Sequence, residues 1–267
     1  MINPIKLVSF FFKKTVMNPF LVKGKRMDEY STKAQYLLHR YKIDRKKKQL
    51  LKKYNNNVDV VDYTKPYVYF PLHAQPEPST NPLGGHYEQQ NLIADMLDKT
   101  LPDDWYLYIK EHKVQYDLQK SKLLPRKDDF YRQLKNNKRV KFLDINTSPF
   151  SIIDNCKVVA TVSGDTGWEA VNRGKPVLLF GYAWYYGCEG IFDARNYDGC
   201  IKAIKTIQNG YTPNPNMIRL FAKAVQDVGM KAYIYETYGE AYNISETQTV
   251  EEIYNSIKNI INNNHRS

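Results

Sequence analysis

The sequence predicts an α/β fold in which helices pack against a mostly parallel sheet. The first observation is that short apolar runs, rich in β-branched and aromatic residues, recur between residues 67 and 180. The second is that segments with helical periodicity separate these runs. The third is the composition of the 267 residues, because 42% hydrophobic and 13% aromatic residues exclude a wholly disordered chain.

The first 62 residues form a basic segment. They carry 15 Lys or Arg and 5 Asp or Glu, a net charge of +10, whereas residues 63–267 carry a net charge of +1. A nucleic-acid partner is therefore not predicted, because nucleic-acid-binding proteins usually carry their basic face on the folded domain. We expect a short basic arm over residues 1–62 and one near-neutral domain with a helical tail over residues 63–267.

Within this arm, a helical pattern extends from Met27 to Tyr54. The basic run Arg45–Lys48 lies in this helix and has two interpretations. It is either a solvated face of the helix or a surface attracted to an anionic membrane or glycolipid. The apolar residues that lie close to helical spacing are Ala34, Leu37, Leu38 and Tyr41.

After residue 62, strands and helices alternate. This alternation is typical of βαβ units, and right-handed crossovers make the predicted domain doubly wound and Rossmann-like. The predicted strands are Tyr67–Leu72, Trp105–Lys110, Val140–Leu143, Lys157–Val162 and Pro176–Phe180. The predicted helices between them are His86–Lys99, Asp128–Leu134, Pro149–Asn155 and one that includes Trp168–Asn172.

The tail is predicted to be helical over Cys200–Gln208, Asn216–Val228 and Val250–Asn262. Thr249 and Glu252 have the spacing of a capping box at the start of the last helix. No run of 18 apolar residues is present, so no membrane-spanning helix is predicted.

The three cysteines indicate whether the chain binds a metal and in which cellular compartment it lies. Cys156, Cys188 and Cys200 are odd in number and lack metal-ligand spacing, so we expect buried thiols rather than disulfides or a metal site. No cleavable signal peptide is recognised either. A cytoplasmic location is therefore expected, with no metal or organic cofactor.

The segment after the fourth strand is the most informative one. In an open parallel sheet, ligands bind at the carboxyl ends of the strands. A tight strand-to-helix turn there directs backbone N–H groups at an anion such as a phosphate. Glu169 then has two interpretations, either a ligand for ribose hydroxyls or a partner of Thr166 in a capping box. The residues that we expect to hold the phosphate are Ser163, Gly164, Thr166 and Gly167.

Two further strands end in polar residues. Lys110 and His112 stand at the end of the second strand and are candidate phosphate ligands, although a plain surface turn is the alternative. After the first strand, Gln75 is a candidate for positioning a sugar, and His73 and Glu77 are candidate acid/base residues. A structural proline-rich turn is the alternative there.

Taken together, these motifs resemble the capsular polysaccharide biosynthesis proteins, a family that includes Kdo transferases of the GT-B glycosyltransferase architecture. The resemblance covers roughly residues 65–190. The motifs that carry it are Tyr67-Val-Tyr-Phe-Pro-Leu-His73, Gln75-Pro-Glu77-Pro-Ser-Thr80, Trp105-Tyr-Leu-Tyr-Ile-Lys110-Glu-His112, Ser163-Gly-Asp-Thr-Gly-Trp-Glu-Ala170, Gly174-Lys-Pro176 and Phe180-Gly181.

The resemblance implies that a nucleotide-sugar donor, preferably a CMP-sugar, binds to this domain. By the same resemblance, His112 and Ser163 with Thr166 would hold the donor phosphate. Lys113 stands where related CMP-sugar enzymes have proline. Glu77 and Asp165 are the carboxylates expected to act as acid/base or nucleophile, and the sequence does not decide between them.

The resemblance also implies two domains, whereas this chain has room for one. Residues 1–62 are then a basic arm or the remnant of an acceptor domain, and the sheet is the donor-binding half. The first hypothesis is a glycosyltransferase that adds a sugar, such as Kdo, to a glycan or glycolipid acceptor. The second is a non-catalytic nucleotide-sugar-binding module that needs a partner chain, and the third is an enzyme similar to nucleotide-sugar epimerases.

Overall fold

The computed structural model describes residues 33–77, 80–117, 126–127, 129–233 and 236–264. The part of the predicted arm before residue 33 lies outside the described residues, as do Ser79 and Asp128. The chain divides into two compact units, one ending at Asn214 and the other beginning at Pro215.

A six-stranded parallel sheet forms the centre of the first unit. Its strand order is β3-β2-β1-β4-β5-β6, and every neighbouring pair is parallel. This order is that of doubly wound dinucleotide-binding sheets, so the predicted Rossmann-like α/β fold is confirmed. The strands are β1 Tyr67–Pro71, β2 Tyr106–Lys110, β3 Val140–Phe142, β4 Val158–Thr161, β5 Val177–Leu179 and β6 Ile191–Asp193.

The five predicted strands agree with β1 to β5 to within one residue at each end. They were recognisable because their side chains are almost all buried on both faces, which gives continuous apolar runs. Strand β6 was not predicted. It has three residues, all half-buried, because it lies at the edge of the sheet.

The helices cover the sheet and form the tail. They are α1 Lys33–Asn55, α2 Asn91–Thr100, α3 Phe130–Lys135, α4 Pro149–Asn155, α5 Asp165–Asn172, α6 Tyr197–Gln208, α7 Pro215–Val228, α8 Glu236–Tyr242 and α9 Glu246–Asn264. The predicted helix His86–Lys99 is instead a 3₁₀ turn, Gly85–Glu88, followed by α2. Helix α8 was not predicted.

Helix α1 buries one stripe with three- and four-residue spacing, which is the spacing of one helix face. Of the apolar residues with helical spacing, Leu37 is buried, whereas Leu38 is exposed and Tyr41 is half-buried. Polar side chains complete the stripe, since the helix is too rich in lysine to offer an apolar one. The buried residues are Leu37, Arg40, Asp44, Lys47, Leu50 and Tyr54.

The end of α1 packs into the same hydrophobic core as the sheet. Leu50 and Tyr54 contact this core, and the Tyr54 ring packs against Tyr131 and Phe142. The division into an arm over residues 1–62 and a domain over residues 63–267 stays a prediction.

The last helix of the second unit begins earlier than expected. Ser245 Oγ accepts from the N–H of Gln248 at 3.1 Å, and Gln248 Oε1 accepts from the N–H of Ser245 at 2.9 Å. This is a capping box. The one predicted for Thr249 and Glu252 is therefore wrong, because Thr249 already lies inside α9. Among the described residues, no helix is long and apolar enough to cross a membrane.

Candidate functional site

A cavity of about 350 Å³ lies outside the carboxyl ends of β1 and β4. The strand order reverses between these two strands, and ligands of doubly wound sheets bind at such a switch point. The chain therefore places a cavity where its fold class binds ligands. The residues that line it are Pro71, Leu72, His73, Glu77, His112, Thr161, Ser163, Gly164, Asp165, Thr166 and Glu169.

Most of the predicted site residues come together in this cavity. The eight that line it are His73, Glu77, His112, Ser163, Gly164, Asp165, Thr166 and Glu169. They come from the loops after β1 and β2 and from the loop and helix α5 after β4, because the parallel strands end at one edge of the sheet.

Three predicted site residues do not line this cavity. The Gln75 side chain accepts from Arg126 Nη1 at 2.7 Å and donates to the Glu88 carbonyl at 2.6 Å, and it faces a neighbouring cavity. Lys110 is buried, and this burial lowers the pKa of its ammonium. Gly167 faces Tyr185, and a Cβ atom there would overlap the Tyr185 hydroxyl.

The His73 ring is held at both nitrogens. Nδ1 lies 3.0 Å from Glu77 Oε1, and Nε2 lies 3.2 Å from Thr161 Oγ1. An ionised carboxylate only accepts, so Nδ1 carries the proton. In the neutral ring, Nε2 then accepts from the Thr161 hydroxyl, whose oxygen also accepts from the N–H of Gly164 at 3.1 Å. The ring thus orients Glu77 and connects it to the loop after β4.

Gly164 makes this contact between loops possible. A Cβ atom at position 164 would lie 2.9 Å from Cε1 of His73 and 3.3 Å from Thr161 Oγ1. The backbone of Gly164 is extended, with φ −78° and ψ 155°, a conformation open to any residue. The glycine is therefore required for space rather than for backbone conformation.

Helix α5 begins at the cavity with Gly164 as its N-cap, and no side chain caps it. The capping-box interpretation of Glu169 is therefore wrong, because Thr166 lies inside the helix. Glu169 instead lines the cavity, where burial and the neighbouring Asp165 raise the pKa of its carboxyl group. The N–H of Gly164 donates to Thr161 Oγ1 and that of Gly167 to the Gly164 carbonyl, so the N–H groups that the first turn offers to an anion are those of Asp165 and Thr166.

His112 contributes a hydrogen-bond donor from the loop after β2. Its Nδ1 accepts from the N–H of Val114 at 3.2 Å, so the neutral ring carries its proton on Nε2. Burial lowers the pKa of His112, which favours this neutral form. A neutral His112 thus offers an Nε2–H donor.

The described lining of the cavity is acidic. It includes three carboxylates and two histidines, and no Lys or Arg is among these described residues. A phosphate here would be held by N–H and O–H donors rather than by side-chain cations. The carboxylates suit hydroxyl groups, which donate to them.

A buried ion pair behind the cavity was not predicted. Glu111 and Arg126 form two hydrogen bonds, Nε to Oε2 at 2.9 Å and Nη2 to Oε1 at 2.8 Å. Glu111 also accepts from the N–H of His112 at 2.7 Å and from the Tyr131 hydroxyl at 2.5 Å. Arg126 Nη2 donates to the His73 carbonyl at 2.6 Å. Glu111 stood in the quoted motif after β2, but no pattern in the sequence pointed to Arg126.

The comparisons with known proteins identify a family whose model matches most of the first unit. Residues 23–214 match the model of the family described as capsule polysaccharide biosynthesis protein. The capsule polysaccharide modification protein LipA of Neisseria meningitidis serogroup B is 30% identical over 119 residues. The LipA of serogroup A is 32% identical over 119 residues. In each case the match covers 45% of this chain and only 16% of the relative.

Solved structures are more distant. The β-Kdo 2,4 transferase KpsC of Thermosulfurimonas dismutans is 17% identical, with a TM-score of 0.39 over 66% of this chain and 56% of that one. The β-Kdo 2,7 transferase KpsC is 15% identical, with a TM-score of 0.40 over 72% and 67%. The family assignment depends on the sequence match, which extends over most of the first unit. By that match, the chain belongs to the capsule polysaccharide biosynthesis proteins.

Proposed function

We propose that this chain is a glycosyltransferase of capsule or surface polysaccharide synthesis that uses a nucleotide-sugar donor. The observation that carries the proposal is the convergence of eight predicted residues in one cavity at the switch point of the sheet. Membership of a capsule-synthesis family supports the biological setting.

The donor phosphate is assigned to the first turn of α5. Ser163 and Thr166 add hydroxyl donors, and His112 adds its Nε2–H. The role proposed for Glu169, which lines the same cavity, is to accept hydrogen bonds from ribose hydroxyls. Because three carboxylates line the cavity, a single phosphate group at this position is favoured over a diphosphate. A CMP-sugar has one phosphate; when the sugar is Kdo, its carboxylate adds a second negative charge, which must then lie away from the three carboxylates.

Glu77 is the preferred acid/base residue. The Nδ1–H of His73 fixes one of its carboxylate oxygens, and the cavity-lining position leaves it near a bound donor. Glu77 would take the proton of the acceptor hydroxyl, whose oxygen bonds to the anomeric carbon as the bond from that carbon to the donor phosphate breaks. Donors at α5 and His112 would stabilise the charge on the departing phosphate. Asp165, exposed at the start of α5, is the second candidate carboxylate.

The test is release of CMP by the full chain when CMP-Kdo and a glycolipid acceptor are supplied together. Glu77→Gln is expected to abolish turnover and to leave CMP affinity, measured by calorimetry, close to that of the wild type. Asp165→Asn is the matched comparison, with a smaller loss of turnover. The proposal fails if the folded protein binds neither CMP nor UDP and turns over no CMP- or UDP-sugar.

A non-catalytic donor-binding module is the second candidate function. It is favoured by the observation that the match spans only 16% of the curated relatives, whose remaining length would supply further parts. In that case nucleotide binds without turnover, and turnover appears only when a partner chain is added. The same calorimetric and turnover measurements separate the two functions.

A further inference from the structure

Two buried glutamines hold the main chain of the loop that carries His73. Gln90 accepts from the N–H of His73 at 2.8 Å and donates to its carbonyl at 3.3 Å. Gln115 accepts from the N–H of Gln75 at 2.8 Å and donates to its carbonyl at 3.2 Å. Neither glutamine is exposed to solvent. This loop is therefore fixed by side chains rather than by pairing with another strand.

Arg126 joins this loop to the next one. Its Nη2 donates to the His73 carbonyl and its Nη1 to the Gln75 side chain, while Nε and Nη2 bind Glu111. The same Glu111 carboxylate accepts from the N–H of His112. One ion pair thus contacts both histidine-bearing loops of the cavity.

We propose that Glu111 and Arg126 are positioning residues, whose ion pair sets the spacing between His73, with its partner Glu77, and His112. The inference rests on the proposed function, because it assigns the pair to the site that binds the donor. Neither side chain lines the cavity, and each acts through the loops that it holds.

The burial of the pair argues for positioning rather than for stability. Glu111 has no exposed surface and Arg126 is 5% exposed, so both charges have lost their water. Apolar residues of similar volume often replace a buried ion pair without loss of stability. What such residues cannot replace is the planar fork of arginine, which places several donors in fixed directions. Here those directions lead to His73 and Gln75.

Two variants separate position from stability. The double variant Glu111→Leu with Arg126→Met removes both charges, so neither is left buried alone. Arg126→Lys keeps a cation opposite Glu111 but has one nitrogen in place of the fork. Arg139→Met, which removes an ion pair with Asp98 and Asp103, is the control because these residues do not line the cavity.

The first measurement needs no ligand. In ¹⁵N-labelled protein, the His73 ring nitrogens report whether the proton stays on Nδ1. We expect both variants to melt cooperatively and to lose this fixed tautomer, while Arg139→Met retains it. If the double variant does not fold, Arg126→Lys decides the question alone.

The second measurement is calorimetry with CMP. Both variants are expected to bind it more weakly than the wild type does, and their turnover of a CMP-sugar is expected to fall by up to about 100-fold, the loss of rate associated with a misplacement of about 1 Å. Folded variants with an unchanged His73 signature and unchanged CMP affinity would overturn the inference. If the wild type binds no nucleotide, the proposed function fails, and the His73 signature still decides whether the pair positions the loop.

Discussion

At the scale of single residues, a substitution at Glu169 distinguishes a structural role of its carboxyl group from a ligand-binding role. It makes no capping bond, since Gly164 caps α5 without help from a side chain. Glu169→Gln is expected to weaken nucleotide binding by about 1 kcal/mol, the usual contribution of one hydrogen bond. The melting temperature should not fall, because the variant removes a charge that lies beside Asp165. Calorimetry and thermal melting check this pair of results. A lower melting temperature with unchanged affinity would assign Glu169 to the fold.

A substitution at Gly164 tests how closely the loops after β1 and β4 must approach each other. In Gly164→Ala, the added methyl group would lie 2.9 Å from the His73 ring, so the ring or α5 must move. Turnover is expected to fall clearly, because the contact with His73 is disturbed. The melting temperature is expected to change little, because alanine is allowed at this backbone conformation. Parallel assays of CMP release and thermal melting measure the two effects. Full activity in the variant would show that contact with His73 is dispensable.

At the scale of elements, the edge strand β6 ends in a titratable contact. Asp193 Oδ1 accepts from Arg195 Nε at 2.8 Å and from the N–H of the same residue at 3.1 Å. The hydrogen bonds from Arg195 lower the pKa of Asp193 from 3.8 to about 2. A carboxyl group whose pKa is lower in the folded state stabilises the fold fully above its unfolded pKa. That contribution is lost as the pH falls from 3.8 through about 2.

Asp193→Asn should therefore be less stable than the wild type at pH 7. The difference should narrow as the pH falls below 4 and approach zero only below pH 2, because the wild-type carboxylate is half protonated when the pH equals its folded-state pKa of about 2. Urea unfolding at a series of pH values measures the difference in free energy. A constant difference over the whole range would show that the charge of Asp193 does not contribute.

The elements also show how far the sequence could lead. Strands β1 to β5 were predictable because burial on both faces makes them continuously apolar. Strand β6 was not, since its three half-buried residues have too little pattern to distinguish them from a loop. Most of the site followed from the fold class, which brings strand ends together. The role of Arg126 could not be predicted, because only the three-dimensional fold brings it next to Glu111, which lies 15 residues earlier in the chain.

At the scale of the whole molecule, the charge is asymmetric. Helix α1 carries most of its basic side chains on the exposed side, although Lys47 is buried and donates to the Asp117 carbonyl at 3.1 Å. Arg40 is buried as well. Any attraction of helix α1 to an anionic surface must therefore come from its exposed basic residues. The exposed ones are Lys42, Arg45, Lys46, Lys48, Lys52 and Lys53.

The full chain is expected to bind vesicles that contain phosphatidylserine, and to bind them more weakly as salt increases. Each basic residue near the surface contributes about 1 kcal/mol, so Lys42→Glu with Arg45→Glu should reduce binding strongly. Lys202→Glu with Lys205→Glu, two exposed positions on α6, changes the net charge equally and is the control. Vesicle sedimentation measures both. Equal losses in the two variants would indicate a net-charge effect rather than a surface on α1.

The Tyr54 hydroxyl donates to the Leu143 carbonyl at 2.6 Å and accepts from the N–H of Glu111 at 3.0 Å. Helix α1 therefore supports the residue that binds Arg126. The change in charge near residue 62 marks a boundary in composition, but it is not a safe place to cut. Anyone who transplants this sheet into a chimeric enzyme should carry α1 with it, because a graft that starts at residue 63 would omit Tyr54.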